Sequence, residues 1–245
     1  MNLEKLSTAV AEKIRPFFKA LLDGYSGNIH SIHIVGSSLT PDYNEKTSDI
    51  NSVVVLKTMD MKFFEFIAPL GRKYKKKGIA APLIMTPDYI AGSLDVFPIE
   101  FLDFKLIHQT IFGEDILKGI DINAADLRLQ CEREIKSKLI GLRQGYISSL
   151  GDRKLLTKSF ADSIAGYMAL FRGIIFLMGE KPPVSKLEVI HALSGATGVN
   201  TDIFRKILDI RNGKIKPGKE NLKTMFEQYY TSTEKIGKCI DGYQI

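Results

Sequence analysis

The sequence predicts an α+β chain: a mixed sheet with helices, followed by an all-α helical bundle. Three observations carry this. Strand-like and helix-like stretches alternate up to about residue 118, and after about residue 122 no strand-like stretch recurs. Beyond that point Gly and Pro cut the chain into long helical runs with short connections, the pattern of an antiparallel bundle. The expected domains are residues 1–120, carrying the sheet, and 121–245, carrying the bundle.

Each element has its own signal. Leu6, Val10, Ile14, Phe17 and Leu21 recur at three- and four-residue steps, which predicts an amphipathic helix over 3–23, kinked or divided at Pro16. Residues 32–35 read as a short strand, 36–48 as turn chemistry, and 50–56, β-branched at most positions, as a central strand. A helix over 61–77, closed by Gly78, precedes a third strand near 81–85 and a short helix through 94. Residues 98–104, PIEFLDF, read as a fourth strand with Glu100 embedded in it. Helices are expected over 124–150, 152–178, 186–195, 201–210 and 220–240.

Bulk properties narrow the function classes. The 245 residues are 44% hydrophobic and 25% charged, ordinary for a globular protein. Apolar stretches read as too short and too interrupted by charge to span a bilayer, and the first residues lack the apolar core of a signal peptide. Cys131 and Cys239 stand far apart without metal-ligand spacing, so a disulfide framework and a zinc site are not expected and a cytoplasmic location is. The net charge of +6 allows an anionic partner. Much of it lies in GRKYKKKG, where Arg72, Lys73, Lys75, Lys76 and Lys77 read first as a solvated helix end and second as a phosphate or RNA contact.

The polar residues on the strands pose the chemical question. Side chains alternate faces along a strand, so Asp49 and Asn51 point the same way. Glu100, on another apolar strand, would also point inward. A buried carboxylate needs a partner, and two of them suggest a shared cation. Asp103 would lie on the face opposite Glu100. Gly36, Ser37 and Ser38 leave the first strand in a turn that can offer N–H groups and hydroxyls to phosphate oxygens. Mg²⁺ commonly uses one or two carboxylates plus the phosphates themselves, so such a set is chemically sufficient. Taken alone, Asp49 reads as a strand-entry turn residue; the combination points to a site. His30 and His33 read as edge or surface residues, and His108 and His191 as loop or helix residues without cysteines or acids nearby at metal spacing. Glu132 and Glu134 read as a solvated helix face.

The stretch Val35-Gly36-Ser37, then Ser48-Asp49-Ile50-Asn51 after an eleven-residue gap, resembles the signature of the nucleotidyltransferase superfamily, with Glu100 standing where a third acid is expected. The resemblance implies that Gly36, Ser37 and Ser38 hold the phosphates of a nucleoside triphosphate. It implies that Asp49, Asn51 and Glu100 bind Mg²⁺ or Mn²⁺, with Asp49 and Glu100 catalytic, and that a nucleoside monophosphate passes to an acceptor hydroxyl. The acceptor is a small molecule or a protein, with RNA ranked behind. Two departures matter. Asn51 removes one negative charge, and Leu39-Thr40-Pro41 lacks the Arg-Gly often found there. A competing expectation is therefore a degenerate module that binds nucleotide or a partner protein without turnover.

Overall fold

The structure, a computed structural model, describes residues 1–244. The chain divides into two compact units. The first comprises residues 1–95 and 101–121, the second residues 96–100 and 122–245.

In the first unit, α1 (Thr8–Tyr25), β1 (Ile29–Val35), β2 (Asn51–Leu56), α2 (Met61–Lys75), β3 (Leu83–Met85) and α3 (Pro87–Ala91) follow in order, then α4 (Pro98–Leu106), whose first residues belong to the second unit, and β4 (His108–Gly113). The four strands form one mixed sheet, ordered β3-β2-β1-β4. β1 is antiparallel to both β2 and β4, and β2 is parallel to β3, as the α2 crossover requires. Ile32, Ile34, Ile50, Val54 and Leu56 share one buried cluster with Val10, Ile14, Phe17 and Leu21 of α1 and Phe63 and Ile67 of α2. Each such fully buried large side chain is worth about 1.5–3 kcal/mol. The period of two then assigns Ser31, His33, Val35, Asn51 and Val53 to the other face. Pro16 lies inside a continuous α1 and does not divide it.

One strand was misplaced by the sequence pattern. Residues 98–104 are helical and begin α4, and the fourth strand is His108–Gly113. Ile-Glu-Phe-Leu-Asp-Phe satisfies a helical period as well as an alternating one. Pro98 is the first helical residue, where its missing N–H costs nothing. Gln130 Oε1 accepts from Ile99 N–H at 2.8 Å, capping the first turn. Glu100 and Asp103, three apart on a helix, then share a side instead of opposing each other. β4 is closed by Gly113 at φ +73, where a Cβ would lie 2.0 Å from the His30 carbonyl oxygen, so only glycine fits.

In the second unit, α5 (Ala124–Ser148), α6 (Arg153–Ser163), α7 (Met168–Leu177), α8 (Lys186–Thr197), α9 (Asp202–Arg211) and α10 (Lys219–Asp241) pack around an aromatic centre. Tyr167, Phe171, Phe204 and Tyr229 meet in tilted and edge-to-face pairs at centroid distances of 4.9–5.5 Å. Their phenols are satisfied: Tyr167 pairs with Thr233 and Tyr229 with Ser163. The run expected as one helix over 152–178 is broken by a 3₁₀ segment, Ile164–Tyr167, between α6 and α7. By length and composition, Arg153–Leu177 is apolar enough to cross a membrane, unlike the expectation from the sequence. In the fold 61% of its apolar window is buried, as in a core helix. Both cysteines are free, and burial pushes the Cys131 thiol up to about 12, which makes it an inert core residue.

Candidate functional site: the open end of the sheet

The Gly-Ser turn and the Asp-Ile-Asn stretch meet at one end of the sheet. Val35, the last residue of β1, pairs with Asn51, the first of β2. Gly36 follows at φ +77, a left-handed conformation that a side chain resists, and opens a 3₁₀ turn over Gly36–Leu39. A Cβ on Gly36 would sit 3.8 Å from Asn51 Nδ2, so the turn and the amide are neighbours. Asp49 lies two residues earlier. Its position is fixed from both sides: Ser48 N–H donates to the Asn44 carbonyl at 2.8 Å, and Ile50 N–H to the Gly78 carbonyl at 2.8 Å.

Asp49 and Asn51 are exposed, whereas Ile50 and Ser52 between and beyond them are buried. The alternation expected of the strand is therefore present, with the polar pair facing solvent. Among the described residues neither side chain has a hydrogen-bond partner. The turn is less open than the sequence suggests. The Gly36 N–H is already committed to the Ile107 carbonyl at 3.1 Å. Ser37 is half-buried, and its carbonyl accepts from both the N–H and the hydroxyl of Thr40 at 3.0 Å. Ser38 is buried, and its hydroxyl has no partner; the Ser52 hydroxyl beneath the sheet is in the same condition.

Glu100 does not share this sheet. It stands in the first turn of α4, in the second unit, where Gln130 Nε2 donates to its carboxylate at 2.8 Å. The strand next to β2 on its free side is β3, Leu83-Ile84-Met85, which carries no acid. The structure thus brings together Gly36, Ser37, Ser38, Asp49 and Asn51, and the premise that made Glu100 their partner, an inward acid on a strand, does not hold.

A second polar group, on the face bearing Val35, was missed in the sequence. His33 is fully buried, not an edge residue. Its Nε2 pairs with the Ser31 hydroxyl and its Nδ1 with the Thr110 hydroxyl, each at 2.8 Å. Burial, with the neighbouring His108 adding to it, lowers the imidazole to about 4. His108, opposite Val35 on β4, has Asp115 at 2.8 Å on Nε2 and the Phe104 carbonyl at 2.7 Å on Nδ1. Burial pushes the Asp115 carboxyl up, but hydrogen bonds from His108 and Thr110, the His108 charge and the Lys118 N–H together hold it below the usual range. Only the i, i+2 spacing of Ser31 and His33 could have hinted at this group; its partners come from a distant strand. In the second unit, Glu132 is held by Arg128 and Lys136, in keeping with a surface role.

Two oxygen donors, the Asp49 carboxylate and the Asn51 amide, suit a hard cation that brings its remaining ligands with it. They do not suit a resident, all-protein centre: among the described residues no group of three His, Cys, Asp or Glu could hold a metal. A two-metal arrangement, which needs dense negative charge to bring two dications within about 4 Å of each other, fits the sheet end poorly.

No protein-family model and no curated sequence matches the chain. Among solved structures it is similar to spectinomycin adenyltransferase AAD(9) from Enterococcus faecialis, solved with ATP and spectinomycin. The TM-score is 0.57 at 15% identity, and the likeness covers 91% of this chain and 98% of that one. At that identity the likeness speaks for the fold alone, and the fold is nucleotidyltransferase-like, α+β with a helical C-terminal part.

Proposed function

We propose that the chain transfers a nucleoside monophosphate from a nucleoside triphosphate to a hydroxyl of a small-molecule acceptor. The observation that carries this reading is the junction of the Gly36 turn with the exposed, unpartnered side chains of Asp49 and Asn51 at one sheet end. The similar solved structure, an adenyltransferase solved with ATP and spectinomycin, supports both the nucleotide and the acceptor class.

In the reaction the acceptor oxygen bonds to the α-phosphorus, the bond from that phosphorus to the β-bridging oxygen breaks, and pyrophosphate leaves. The acceptor's proton passes to solvent. The protein's part is positioning and charge placement, because phosphoryl-type transfer asks little covalent work of its catalyst. With the Gly36 N–H taken by Ile107, phosphate recognition at the turn falls to Ser37 and the turn's further N–H groups. Ser38, buried, would support the turn from beneath. Asp49 and Asn51 would hold a Mg²⁺ or Mn²⁺ ion arriving with the triphosphate, which supplies neutralisation of phosphate charge.

A second reading, nucleotide binding without turnover, is favoured by one observation: Asn51 opens β2 with an amide, so the Asp49-Ile50-Asn51 stretch offers one carboxylate and not two. Incubation of the full chain with α-labelled ATP, Mg²⁺ or Mn²⁺ and a panel of hydroxylated small molecules separates the two. Labelled acceptor and pyrophosphate are expected, and both vanish in Asp49→Ala. Equal turnover in that variant overturns the site, while tight ATP binding without transfer to any acceptor selects the second reading.

A further inference from the structure

Five cations crowd the end of α2 and the residues after it: Arg72, Lys73, Lys75, Lys76 and Lys77, all exposed. The helix dipole gives an ordinary reason for lysines at a C-terminus. Three observations exceed it. No acid stands between Glu65 and Asp88, and among the described residues none of the five makes an ion pair. Lys73 and Lys77 are held over the Tyr74 ring at 5.4 and 5.2 Å, and Tyr74 is itself buried against Phe17 at a centroid distance of 5.5 Å. The positive charge is therefore anchored to the core.

Its location is the third. Gly78, directly after Lys77, accepts the Ile50 N–H at 2.8 Å, and the Ile50 carbonyl accepts the Ala80 N–H at 3.1 Å. A Cβ on Gly78 would lie 3.9 Å from the Ser48 carbonyl oxygen. The chain that leaves the lysine run thus touches the residues on both sides of Asp49. An uncompensated cationic patch beside an exposed carboxylate suits a ligand that is strongly anionic and can bring a counter-cation.

We infer that the α2 C-terminus, through Lys75, Lys76 and Lys77, docks the polyphosphate tail of the nucleotide. The inference rests on the nucleotide reading above and assigns the charge selectivity of that site. A patch of one sign raises local ligand concentration and association rate, and does so less as salt is added.

The test is calorimetric titration of the full chain with ATP, ADP and AMP, each with Mg²⁺, at low and high salt. The variant is Lys75→Glu/Lys76→Glu, which leaves both lysines over Tyr74 in place. Wild type is expected to prefer ATP over ADP over AMP, with a steep salt dependence for ATP. The variant is expected to weaken ATP about tenfold, the low end of such electrostatic focusing, to weaken ADP less and to leave AMP unchanged. An unchanged thermal melt shows that the fold survives. ATP affinity equal in the two proteins overturns the inference and leaves the nucleotide reading standing, as does equal wild-type affinity for ATP and AMP. Loss of single-stranded RNA binding with ATP affinity intact also overturns it and reassigns the patch to nucleic acid. Absence of nucleotide binding in wild type overturns the nucleotide reading and this inference together.

Discussion

Two polar intrusions interrupt the apolar sheet, and they are treated oppositely. At the Ser31–His33–Thr110 group every buried polar atom has a partner, and the lowered imidazole stays neutral. At Asp49 and Asn51 the side chains are exposed and unpartnered, although the backbone on either side of Asp49 is tied down. The first arrangement is what stability demands of buried polar groups. The second gives the fold nothing, since unpaired surface groups contribute little. A rigid backbone presenting idle polar side chains is preorganised for a ligand, and that contrast is the physical reason for assigning function to one end of the sheet.

The contrast can be broken by exchanging the roles of the two regions. The largest expected effect is on chemistry: Asp49→Ala should lower nucleotidyl transfer by roughly 100-fold or more, the scale of losing one preorganised electrostatic contact. Its unfolding free energy should move by no more than about 0.5 kcal/mol, as for other exposed positions. Denaturant melts beside transfer assays check both halves. His33→Ala should do the reverse, costing about 2–4 kcal/mol through a cavity and two lost hydrogen bonds.

pH sharpens the same comparison. The folded-state value of His33, about 4, lies below its ordinary 6.5, so the unfolded chain binds the extra proton more readily. Stability contributed by the neutral ring is complete above about pH 6.5 and is lost as pH falls toward 4, by roughly 3 kcal/mol in total. Urea unfolding at a series of pH values should show that slope, and His33→Ala should flatten it. His30, His108 and Asp115 are the charged neighbours of the ring, so the difference between wild type and variant is the quantity to read.

Smaller effects follow. Gly36→Ala should cost about 1–2 kcal/mol from its left-handed backbone, with little steric penalty because Asn51 leaves room. Glu100→Ala should cost about 1 kcal/mol by removing the acceptor of Gln130 Nε2, and should reduce transfer less than Asp49→Ala does. Restoring the missing charge with Asn51→Asp is expected to preserve or raise turnover; a collapse of turnover in that variant would mean that the amide is needed as a donor.

The legible parts of the fold were those governed by local rules. Period-two alternation put Asp49 and Asn51 on one face, and glycine after an apolar strand marked the turn beside them. Residues 98–104 misled because their apolar positions fit both periods; Pro98 followed by an acid in the first turn was the available signal for a helix. β4 was illegible because His-Gln-Thr-Ile-Phe-Gly shows no clean alternation, and its strand character comes from pairing with β1. The burial of His33 was illegible for the same reason: its partner Thr110 lies 77 residues away. Long-range pairing, absent from any short window of sequence, decided each of these.

The most direct measurement is amide-resolved NMR of the full chain titrated with ATP and Mg²⁺. The account predicts saturable shifts at Ser37, Ser38, Asp49 and Asn51, and at Lys75, Lys76 and Lys77, with the amide of buried His33 left unmoved. Shifts confined to other residues, with Ser37 and Asp49 silent at saturation, would contradict it.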